Sequence, residues 1–309
     1  MLDTRRLRIL REVARRGTFS SAAEALDYTQ SAVSQQVARL EAEVGMTLIE
    51  RRPRGLRLTA AGEALVEHTD AILARLAAAE AELEALTGLR TGRLRMASFP
   101  TAGATLMPLA IARFNADHPG VELTLIEGEP EEILPRLEEG ELDLALLFEF
   151  EGFSEPLDPG IERIELLDDQ MYVALPPGHR LAERRSVHLA DLREDAWVQT
   201  SASSPCARHV VRACHRAGFE PRVSFESDDY LTVQGLVAAG VGVALIPGLA
   251  LTNVRPEIVI RGLSPRGPSR RVLGAATHVP ARPPAAEAML EALRGVAETY
   301  RPPGTAQPS

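Results

Sequence analysis

Apolar residues recur every three or four positions through the first part of the chain, which is the spacing of amphipathic helices. Leu7, Leu10 and Val13 share one side of a predicted helix over residues 4–16. Gly17 follows directly, and glycine commonly ends a helix because it adopts the left-handed conformation without strain. The first predicted element is therefore a short amphipathic helix.

Two further helices are predicted next. Ser21 and Glu24 match a capping box, in which each side chain satisfies a backbone N–H at the start of a helix, and this helix should end near Leu26. Thr29 is placed to cap a third helix over residues 30–44. Two helices joined by a tight turn predict a helix-turn-helix.

The third helix has two contrasting faces. Val33, Val37 and Leu40 form an apolar stripe that predicts contact with a core. The opposite face lacks the Glu and Lys typical of a solvated helix and carries mostly short or neutral hydrogen-bonding groups: Gln30, Ser31, Ser34, Gln35 and Arg39. Neither a core nor solvating charge accounts for this face, so we assign it, with Thr29, to DNA bases and phosphates.

A basic hairpin is predicted after the third helix. Residues 48–50 and 56–58 are short strand candidates around a turn that contains Pro and Gly. Arg51, Arg52 and Arg54 place positive charge on and beside this turn, which suits contact with phosphates or the minor groove. The alternative is a solvated loop, but a position directly after a helix-turn-helix favours a DNA-contacting wing.

A long helix is predicted over residues 59–86, with Thr59 as its cap. Its apolar side chains follow steps of four and three, with Thr69 filling the one gap: Leu65, Ile72, Leu76, Ala79, Leu83 and Leu86. This heptad pattern predicts a coiled coil between two copies of the chain. The alternative is a helix packed on its own domain, but the acidic outer face leaves little else to bury.

Predicted strands and helices alternate through the rest of the chain. Strands are predicted at 94–98, 121–126, 142–148, from about 171, and at 196–203, 222–227 and 241–247. Helices are predicted at 102–115, 131–138, 206–217 and 231–239. This alternation predicts two α/β units.

Several motifs within residues 7–65 together resemble the winged helix-turn-helix of LysR-type transcriptional regulators: Gly-Thr-Phe-Ser, Ala-Ala-x-x-Leu, Gln-Ser-Ala-Val-Ser, Leu-Glu-x-x-x-Gly and Leu-Thr-x-x-Gly. Gln35 departs from the Arg or Lys of many members, and Ile49 from the usual Phe. The stretches SFPTAGATLMP, GELDLAL and VQGLVAAGVGVALIP resemble, more loosely, the effector domain of the same family, which is similar to periplasmic binding proteins.

The resemblance implies an α+β multidomain chain. Its expected parts are a winged helix-turn-helix DNA-binding domain (1–58), a linker helix (59–88), a two-subdomain α/β effector domain (89–300) and a flexible tail (301–309). Subdomain I is expected at 93–167 and 269–300, where the chain returns, and subdomain II at 168–268. The family implies a sequence-specific regulator of transcription that binds promoter DNA as a homotetramer and responds to a small-molecule effector. RNA polymerase is a further partner that the family implies.

Ligands of open α/β sheets bind beyond the carboxyl ends of the strands. The residues at those positions combine hydroxyl groups with backbone N–H groups at helix starts, which suit a small anion such as a carboxylate: Ser98, Phe99, Thr101, Phe148, Thr200, Ser201, Ser203, Ile246 and Pro247. Each of them alone is also explained as an ordinary turn or capping residue. Asp229 is expected only to cap the following helix.

The net charge of −9 is distributed unevenly. Residues 1–58 hold 11 arginines against 7 acidic residues, residues 59–88 hold 1 against 6, and residues 89–309 hold 22 against 30. A basic N-terminal part on an acidic body is expected when one end approaches a polyanion. No apolar run approaches the roughly 18 residues that span a bilayer, so a cytoplasmic protein without membrane contact is expected.

An enzyme is not indicated. The sequence has no Gly-x-Ser-x-Gly, His-Glu-x-x-His, P-loop or Cys-x-x-Cys motif and no metal-ligand spacing of histidines, so no catalytic residue, cofactor or metal is predicted. The alternative function is a redox-sensing regulator that uses Cys206 and Cys214, since peroxide-sensing relatives use two cysteines in this subdomain. Eight positions of one helix separate these cysteines by about 12 Å, which exceeds the roughly 7 Å that a disulfide tolerates and favours plain packing.

Overall fold

The computed structural model describes residues 2–52, 55–86, 92–150, 160–277 and 282–302, which fall into two compact units. The N-terminal unit contains the described residues as far as Leu86, and the C-terminal unit contains residues 92–277 and the helix at 284–299. Each unit has its own hydrophobic core. Of the expected tail, only Arg301 and Pro302 are among the described residues.

The N-terminal unit is a winged helix-turn-helix followed by a long helix. Its elements are α1 (Thr4–Arg16), α2 (Phe19–Ala25), α3 (Gln30–Val44), β1 (Ile49–Arg52), β2 (Gly55–Leu58) and α4 (Ala60–Leu86). The predicted limits of α1 and α3 are confirmed. Gly17 ends α1 with a left-handed φ of 69°, and the Thr29 side chain accepts a hydrogen bond from the backbone N–H of Ala32. The apolar stripe of α3 is fully buried, as its spacing predicts.

The prediction that Ser21 caps the second helix is wrong. Thr18 is the cap, because its Oγ1 accepts a hydrogen bond from the backbone N–H of Ser21 at 3.1 Å. Ser21 therefore lies inside the first turn of α2. The helix starts early because Gly17 has just ended α1 and Thr18, the next residue, already offers a hydroxyl group in extended backbone.

The apolar seam of α4 is covered unevenly. Leu65 packs against the core of the N-terminal unit, and Thr69 is fully buried and donates to the Leu65 carbonyl at 2.7 Å. Three later seam residues are 37%, 41% and 63% exposed: Ile72, Leu76 and Leu83. The start of the seam thus packs on its own domain, and these three side chains are open to solvent in a single chain. The side chain of Leu86 lies outside the described residues.

The C-terminal unit has a mixed α/β architecture. Its first elements are β3 (Gly92–Ser98), α5 (Pro100–Gly103), α6 (Leu106–Asp117), β4 (Val121–Glu127), α7 (Pro130–Glu138), β5 (Leu144–Phe150), β6 (Ile161–Leu175) and β7 (Ser186–Val187). The remaining ones are β8 (Ala196–Gln199), α8 (Pro205–Arg216), β9 (Arg222–Glu226), α9 (Tyr230–Ala238), β10 (Ala244–Pro247), β11 (Val259–Leu263), β12 (Ser269–Thr277) and α10 (Pro284–Thr299). Two 3-10 turns lie at Leu189–Leu192 and Gly248–Leu251.

Eight of these strands form one sheet, and β8 pairs with β9 in parallel in a second sheet. The strand order is β4-β3-β5-β12-β6-β11-β7, with β10 also paired to β6. Strands β3, β4 and β5 are parallel, and β12 runs antiparallel to β5. The predicted return of the chain through residues 270–277 is confirmed by β12, which lies between β5 and β6.

The prediction that a strand begins near Met171 is wrong, because β6 already begins at Ile161. Its first part pairs with β12, and its second part pairs with β10 and β11. One strand therefore runs through both halves of the unit. The acidic pair Asp168-Asp169 resembles a loop in the sequence, but these residues lie opposite two arginines of β12 and stay within the strand.

Two smaller differences affect the positions of candidate residues. The helix predicted at 102–115 is divided into α5 and α6, with Thr105 between them donating to the Thr101 carbonyl at 2.7 Å. Strand β5 ends at Phe150, two residues later than predicted, so Phe148 lies inside the strand. Asp229 caps α9 as predicted, since its carboxylate accepts the backbone N–H groups of Leu231 and Thr232.

Candidate nucleic-acid interface and effector cleft

The outer face of α3 is open to solvent, in contrast to its buried stripe. Of the six candidate residues there, Ser34 is half-buried. The other five are exposed: Thr29, Gln30, Ser31, Gln35 and Arg39. Thr29 Oγ1 lies 3.1 Å from Ser31 Oγ, so these two hydroxyls form a pair at the helix start. Gln30 is the first helical residue and projects from the same end.

A residue pair that the sequence did not reveal fixes the start of this helix. The Arg5 guanidinium donates to the Tyr28 hydroxyl from Nε at 3.0 Å and from Nη2 at 2.6 Å, and it also lies 5.4 Å from the centre of the Tyr28 ring. This contact ties α1 to the turn before α3. It joins residues 23 positions apart, so no local pattern indicates it.

The hairpin behind α3 is paired as predicted, with Ile49 opposite Leu58 and Arg52 opposite Gly55. The backbone N–H of Leu56 donates to the Gly17 carbonyl at 3.0 Å, which attaches the hairpin to the junction of α1 and α2. Of the arginines assigned to this wing, Arg54 and the side chains of Arg51 and Arg52 lie outside the described residues.

One arginine of β12 lies among several of the predicted effector residues in the C-terminal unit. The Arg270 guanidinium lies 4.8 Å from the Phe99 ring centre and 4.7 Å from that of Phe148, and the two rings contact each other edge to face at 5.0 Å. Arg270 Nη2 donates to Thr101 Oγ1 at 2.6 Å. Three of the predicted effector residues therefore surround Arg270.

Arg270 is held by an acidic partner from β6. Its Nε donates to Asp169 Oδ2 at 3.0 Å, and Asp169 Oδ1 accepts the backbone N–H of Leu249 at 3.1 Å. Burial raises the pKa of Asp169, while the charge and hydrogen bond of Arg270 oppose that rise. Both side chains are only 2% exposed, so the ion pair is buried within the C-terminal unit.

Cys206 of α8 lies next to Arg270. Arg270 Nη1 lies 3.9 Å from Cys206 Sγ, which is a weak acceptor. Burial raises the pKa of the Cys206 thiol, and burial also raises that of Cys214 to about 12. Both thiols stay protonated, and α8 runs without interruption through both positions. This environment opposes a redox role, because the thiolate is the reactive form.

The other predicted effector residues have local partners. Ser98 is buried and donates to the Phe99 carbonyl at 3.1 Å. Thr200 Oγ1 donates to Ser204 Oγ at 3.2 Å, and the backbone N–H of Ser201 donates to Asp228 at 2.9 Å.

Three further candidates lie at β10 and before α8. Ile246 is buried in the core, Pro247 precedes a 3-10 turn, and the Ser203 carbonyl accepts from Arg208. The structure brings Phe99, Thr101 and Phe148 together around Arg270, and it places the Thr200–Ser203 group at the start of α8.

Arg270 and Asp169 were missed by the sequence analysis. The sequence offers one signal for this pair, which is the presence of two adjacent acids and two adjacent arginines. In the structure, Asp169 lies opposite Arg270 and Asp168 lies opposite Arg271. Among the described residues, no group of three or more potential metal ligands occurs. No described helix has both the length and the apolar character needed to cross a bilayer.

Two family models match most of the chain. Residues 4–63 match the bacterial regulatory helix-turn-helix protein, lysR family, and residues 87–298 match the LysR substrate binding domain. The chain is 32% identical over 264 residues to the transcriptional dual regulator GltC of Bacillus subtilis, covering 84% of this chain and 85% of that protein. It is 32% identical over 305 residues to the probable HTH-type transcriptional regulator LrrA of Synechococcus elongatus, covering 98% and 100%.

Solved structures show the same architecture. The fold is similar to that of a full-length OxyR variant from Pseudomonas aeruginosa, with a TM-score of 0.70 and 24% identity, covering 95% of this chain and 98% of that one. It is also similar to full-length CbnR complexed with its target DNA, with a TM-score of 0.57 and 25% identity, covering 96% and 100%. The first likeness concerns the fold alone.

Proposed function

The chain belongs to the LysR family of transcriptional regulators, and we propose which of its residues carry out the two functions of such a protein. It is a DNA-binding transcriptional regulator with a C-terminal α/β domain for a small-molecule effector. The proposal assigns promoter DNA to the outer face of α3 and to the β1–β2 wing. It assigns the effector to the cleft around Arg270.

The exposure of the α3 outer face is the observation that carries the DNA assignment. Gln30 has a carboxamide that can donate to and accept from an adenine edge in the major groove, and the hydroxyls of Ser31 and Ser34 can reach bases or phosphates. Gln35 and Arg39 extend along the groove wall. Thr29 caps the helix end that faces the duplex, and the wing arginines are assigned to phosphates on the sequence alone.

Footprinting of the full chain on the DNA beside its own gene tests this assignment. We expect protection of a partly palindromic promoter segment, because a symmetric assembly binds two related half-sites. The relative CbnR has been solved with its target DNA, which supports this expectation. Absence of any protected segment, with the protein folded, contradicts it.

The effector is proposed to be a small carboxylate. Arg270 is the one buried arginine among the described residues, and the hydrogen-bond partner of its Nη1 atom is the sulfur of Cys206 at 3.9 Å. A carboxylate oxygen is a much stronger acceptor than a thiol sulfur, so an anion in the cleft gains a charge-assisted hydrogen bond there. The hydroxyls of Thr101 and Thr200 offer further polar contacts.

Thermal unfolding of the full chain with a panel of small carboxylates, such as pyruvate, benzoate and glutamate, tests this site. A ligand that binds the folded state raises the melting temperature with its concentration. Thr101→Val and Thr200→Val should reduce that rise without changing DNA affinity in the absence of effector. Thr124→Val, on the exposed side of β4, is the matched control. A full rise in both cleft variants places the site elsewhere.

Assembly is proposed to use the open part of the α4 seam. Ile72, Leu76 and Leu83 are exposed in the single chain and lie on one heptad stripe, which suits a coiled-coil dimer. The tetramer that the family implies needs a second contact between chains. A contact with RNA polymerase stays a prediction from the family resemblance.

Catalysis and a redox switch are not part of this proposal. The matched relatives are named transcriptional regulators, and a cytoplasmic location is proposed because promoter DNA lies there. One more distant relative, at 29% identity over 257 residues, is the transcriptional dual regulator OxyR of Escherichia coli. The protonated, buried thiols of Cys206 and Cys214 favour effector binding over a redox response in this chain.

A further inference from the structure

The contact between Arg5 and Tyr28 uses one edge of the Arg5 guanidinium and leaves the next edge open. Nε and Nη2 donate to the Tyr28 hydroxyl at 3.0 and 2.6 Å, which occupies the first edge of this planar group. The next edge, formed by Nη1 and the second N–H of Nη2, has no partner among the described residues. Two N–H groups on one edge match the oxygens of a carboxylate or a phosphate. Arg5 is thus held in one orientation with a free binding edge.

The Tyr28 hydroxyl is also only half used. A phenol has one O–H donor and two acceptor lone pairs, and the two N–H groups of Arg5 occupy both lone pairs. Its own proton has no acceptor in the described part of the chain, and the residue is 37% exposed. All the hydrogen-bonding groups that this pair still presents are therefore donors. A ligand with several acceptor oxygens satisfies them together.

No acid neutralises Arg5. Within the described ranges it forms no ion pair, either with Asp3 or with Asp27, whereas its neighbour Arg6 pairs with Glu43. The Asp3 carboxylate is used to cap α1, since its Oδ1 accepts the backbone N–H of Arg5 at 2.8 Å. The first turns of α1 and α3 contain no acidic residue. The positive charge of Arg5 therefore remains available to an anion.

The pair lies at the end of α3 that the proposed function assigns to DNA. Tyr28 directly precedes the cap Thr29, whose Oγ1 lies 3.1 Å from Ser31 Oγ, and Gln30 between them is exposed. The first turn of α3, residues 30–33, has no basic residue of its own. Arg5 of α1 thus supplies a cation to this helix start.

We propose that Arg5 and Tyr28 form a clamp for one phosphate of the DNA backbone, next to the bases that α3 contacts. The free edge of Arg5 donates to two phosphate oxygens, and the Tyr28 hydroxyl holds the guanidinium and donates to one of them. Such a contact adds affinity and fixes the position of α3 on the duplex without reading a base. This inference rests on the DNA assignment proposed above and extends it to α1.

Titration of the full chain with DNA at several salt concentrations tests the clamp. The probes are a duplex of the promoter segment beside its own gene and a scrambled duplex of equal length, because a phosphate contact does not depend on sequence. Arg5→Gln should weaken binding to both duplexes about tenfold or more and reduce the salt slope by about one. Arg11→Gln is the matched control, since it removes the same charge from α1 at a position that pairs with Asp70 of α4. It should keep the parent slope.

Tyr28→Phe distinguishes the clamp from a contact that only holds α3 in place. It keeps the ring and the charge of Arg5 but removes the hydroxyl, so affinity for both duplexes should fall while the salt slope stays near that of the parent. Melting temperatures of the free variants confirm that they are folded. If Arg5→Gln and Tyr28→Phe weaken binding alike and neither changes the salt slope, the pair is a structural contact and the proposal is wrong.

Failure of the DNA assignment itself gives a different result. In that case the parent protein binds the promoter and scrambled duplexes equally, while Arg5→Gln still reduces the salt slope on both. A parent protein that binds neither duplex contradicts both proposals. An unchanged slope in Arg5→Gln, with the promoter duplex still preferred, contradicts the clamp alone.

Discussion

Arg270 and Asp169 face each other across β12 and β6, and they form an ion pair with Nε 3.0 Å from Oδ2 in which each side chain is only 2% exposed. One residue further along each strand, Arg271 and Asp168 point to the opposite face, where both are exposed. Removing two charges from water is costly, and their mutual attraction offsets that cost only with good geometry. The pair therefore serves to hold the Arg270 guanidinium in place beside Phe99, Thr101 and Phe148 more than to stabilise the fold.

The first prediction concerns this pair. Arg270→Met leaves the Asp169 carboxylate buried without its partner, so it should destabilise the protein by about 3–5 kcal/mol. Arg271→Gln is the matched control, because this arginine is 47% exposed and its partner Glu149 keeps a second ion pair with Arg163, so the loss should be about 1 kcal/mol or less. Denaturant unfolding of both variants measures the difference.

A double variant separates the lost partner from lost packing. Arg270→Met combined with Asp169→Leu removes both charges and should recover much of the stability lost in the single variant. If Arg270→Met alone unfolds at the same denaturant concentration as Arg271→Gln, the Asp169 carboxylate does not depend on Arg270 as its buried partner.

The second prediction concerns assembly through α4. Leu76→Glu combined with Leu83→Glu places like charges in the open seam, so sedimentation should show weaker dimerisation. Binding to DNA with two half-sites should fall more than binding to one half-site. Ala71→Glu is the control, since it adds the same charge to an exposed position of α4 beside the seam. Unchanged assembly in the double variant shows that the helix is not the dimer contact.

The helices could be predicted from sequence because their signals are local. The stripe of α3 and the caps Gly17 and Thr29 lie within a few residues of the structure that they specify. The start of α2 was misplaced for the same reason, since Thr18 and Ser21 both satisfy a local capping rule, and only the left-handed end of α1 at Gly17 selects Thr18.

The cleft could be predicted only in part, because its centre is non-local. Phe99 and Thr101 follow a strand, which is a general rule for α/β ligand sites. Asp169 and Arg270, by contrast, are 101 positions apart, and each alone has the properties of an ordinary surface charge. Their burial follows from the long course of β6 through both halves of the unit, and the periodicity of residues 161–170 is obscured by its acidic residues.

The third prediction is a pH dependence from His209. Its pKa is about 4 in the folded protein against an ordinary value of 6.5, because burial and then the charges of Arg216 and Arg212 disfavour the protonated ring. The unfolded chain therefore binds this proton first as the pH falls. The free energy of unfolding should decrease between about pH 6.5 and pH 4, by at most about 1.4 kcal/mol per pH unit from this one group.

Denaturant unfolding across this pH window measures the effect. His209→Phe removes the group and should give a shallower decrease than the parent protein, whereas His215→Gln, at an exposed position, should keep the parent slope. If the two variants and the parent protein lose stability in parallel, His209 takes up its proton at an ordinary pH and its surroundings are not as described.

The last prediction separates base contacts from phosphate contacts at the DNA interface. Gln30 is exposed at the first position of α3, so Gln30→Ala should cost about 1–3 kcal/mol at one base pair, relax the preference there and leave the salt dependence nearly unchanged. Arg52→Ala should weaken binding to all sequences alike and reduce the salt slope by about one, because a phosphate contact releases a counterion regardless of sequence.

Gln36→Ala is the control, since Gln36 accepts a hydrogen bond from Arg6 of α1 and should not affect base preference. Titrations against single-base operator variants at several salt concentrations distinguish these outcomes. If Gln30→Ala weakens binding to every sequence equally, α3 does not read a base at this position and the glutamine contacts the backbone instead.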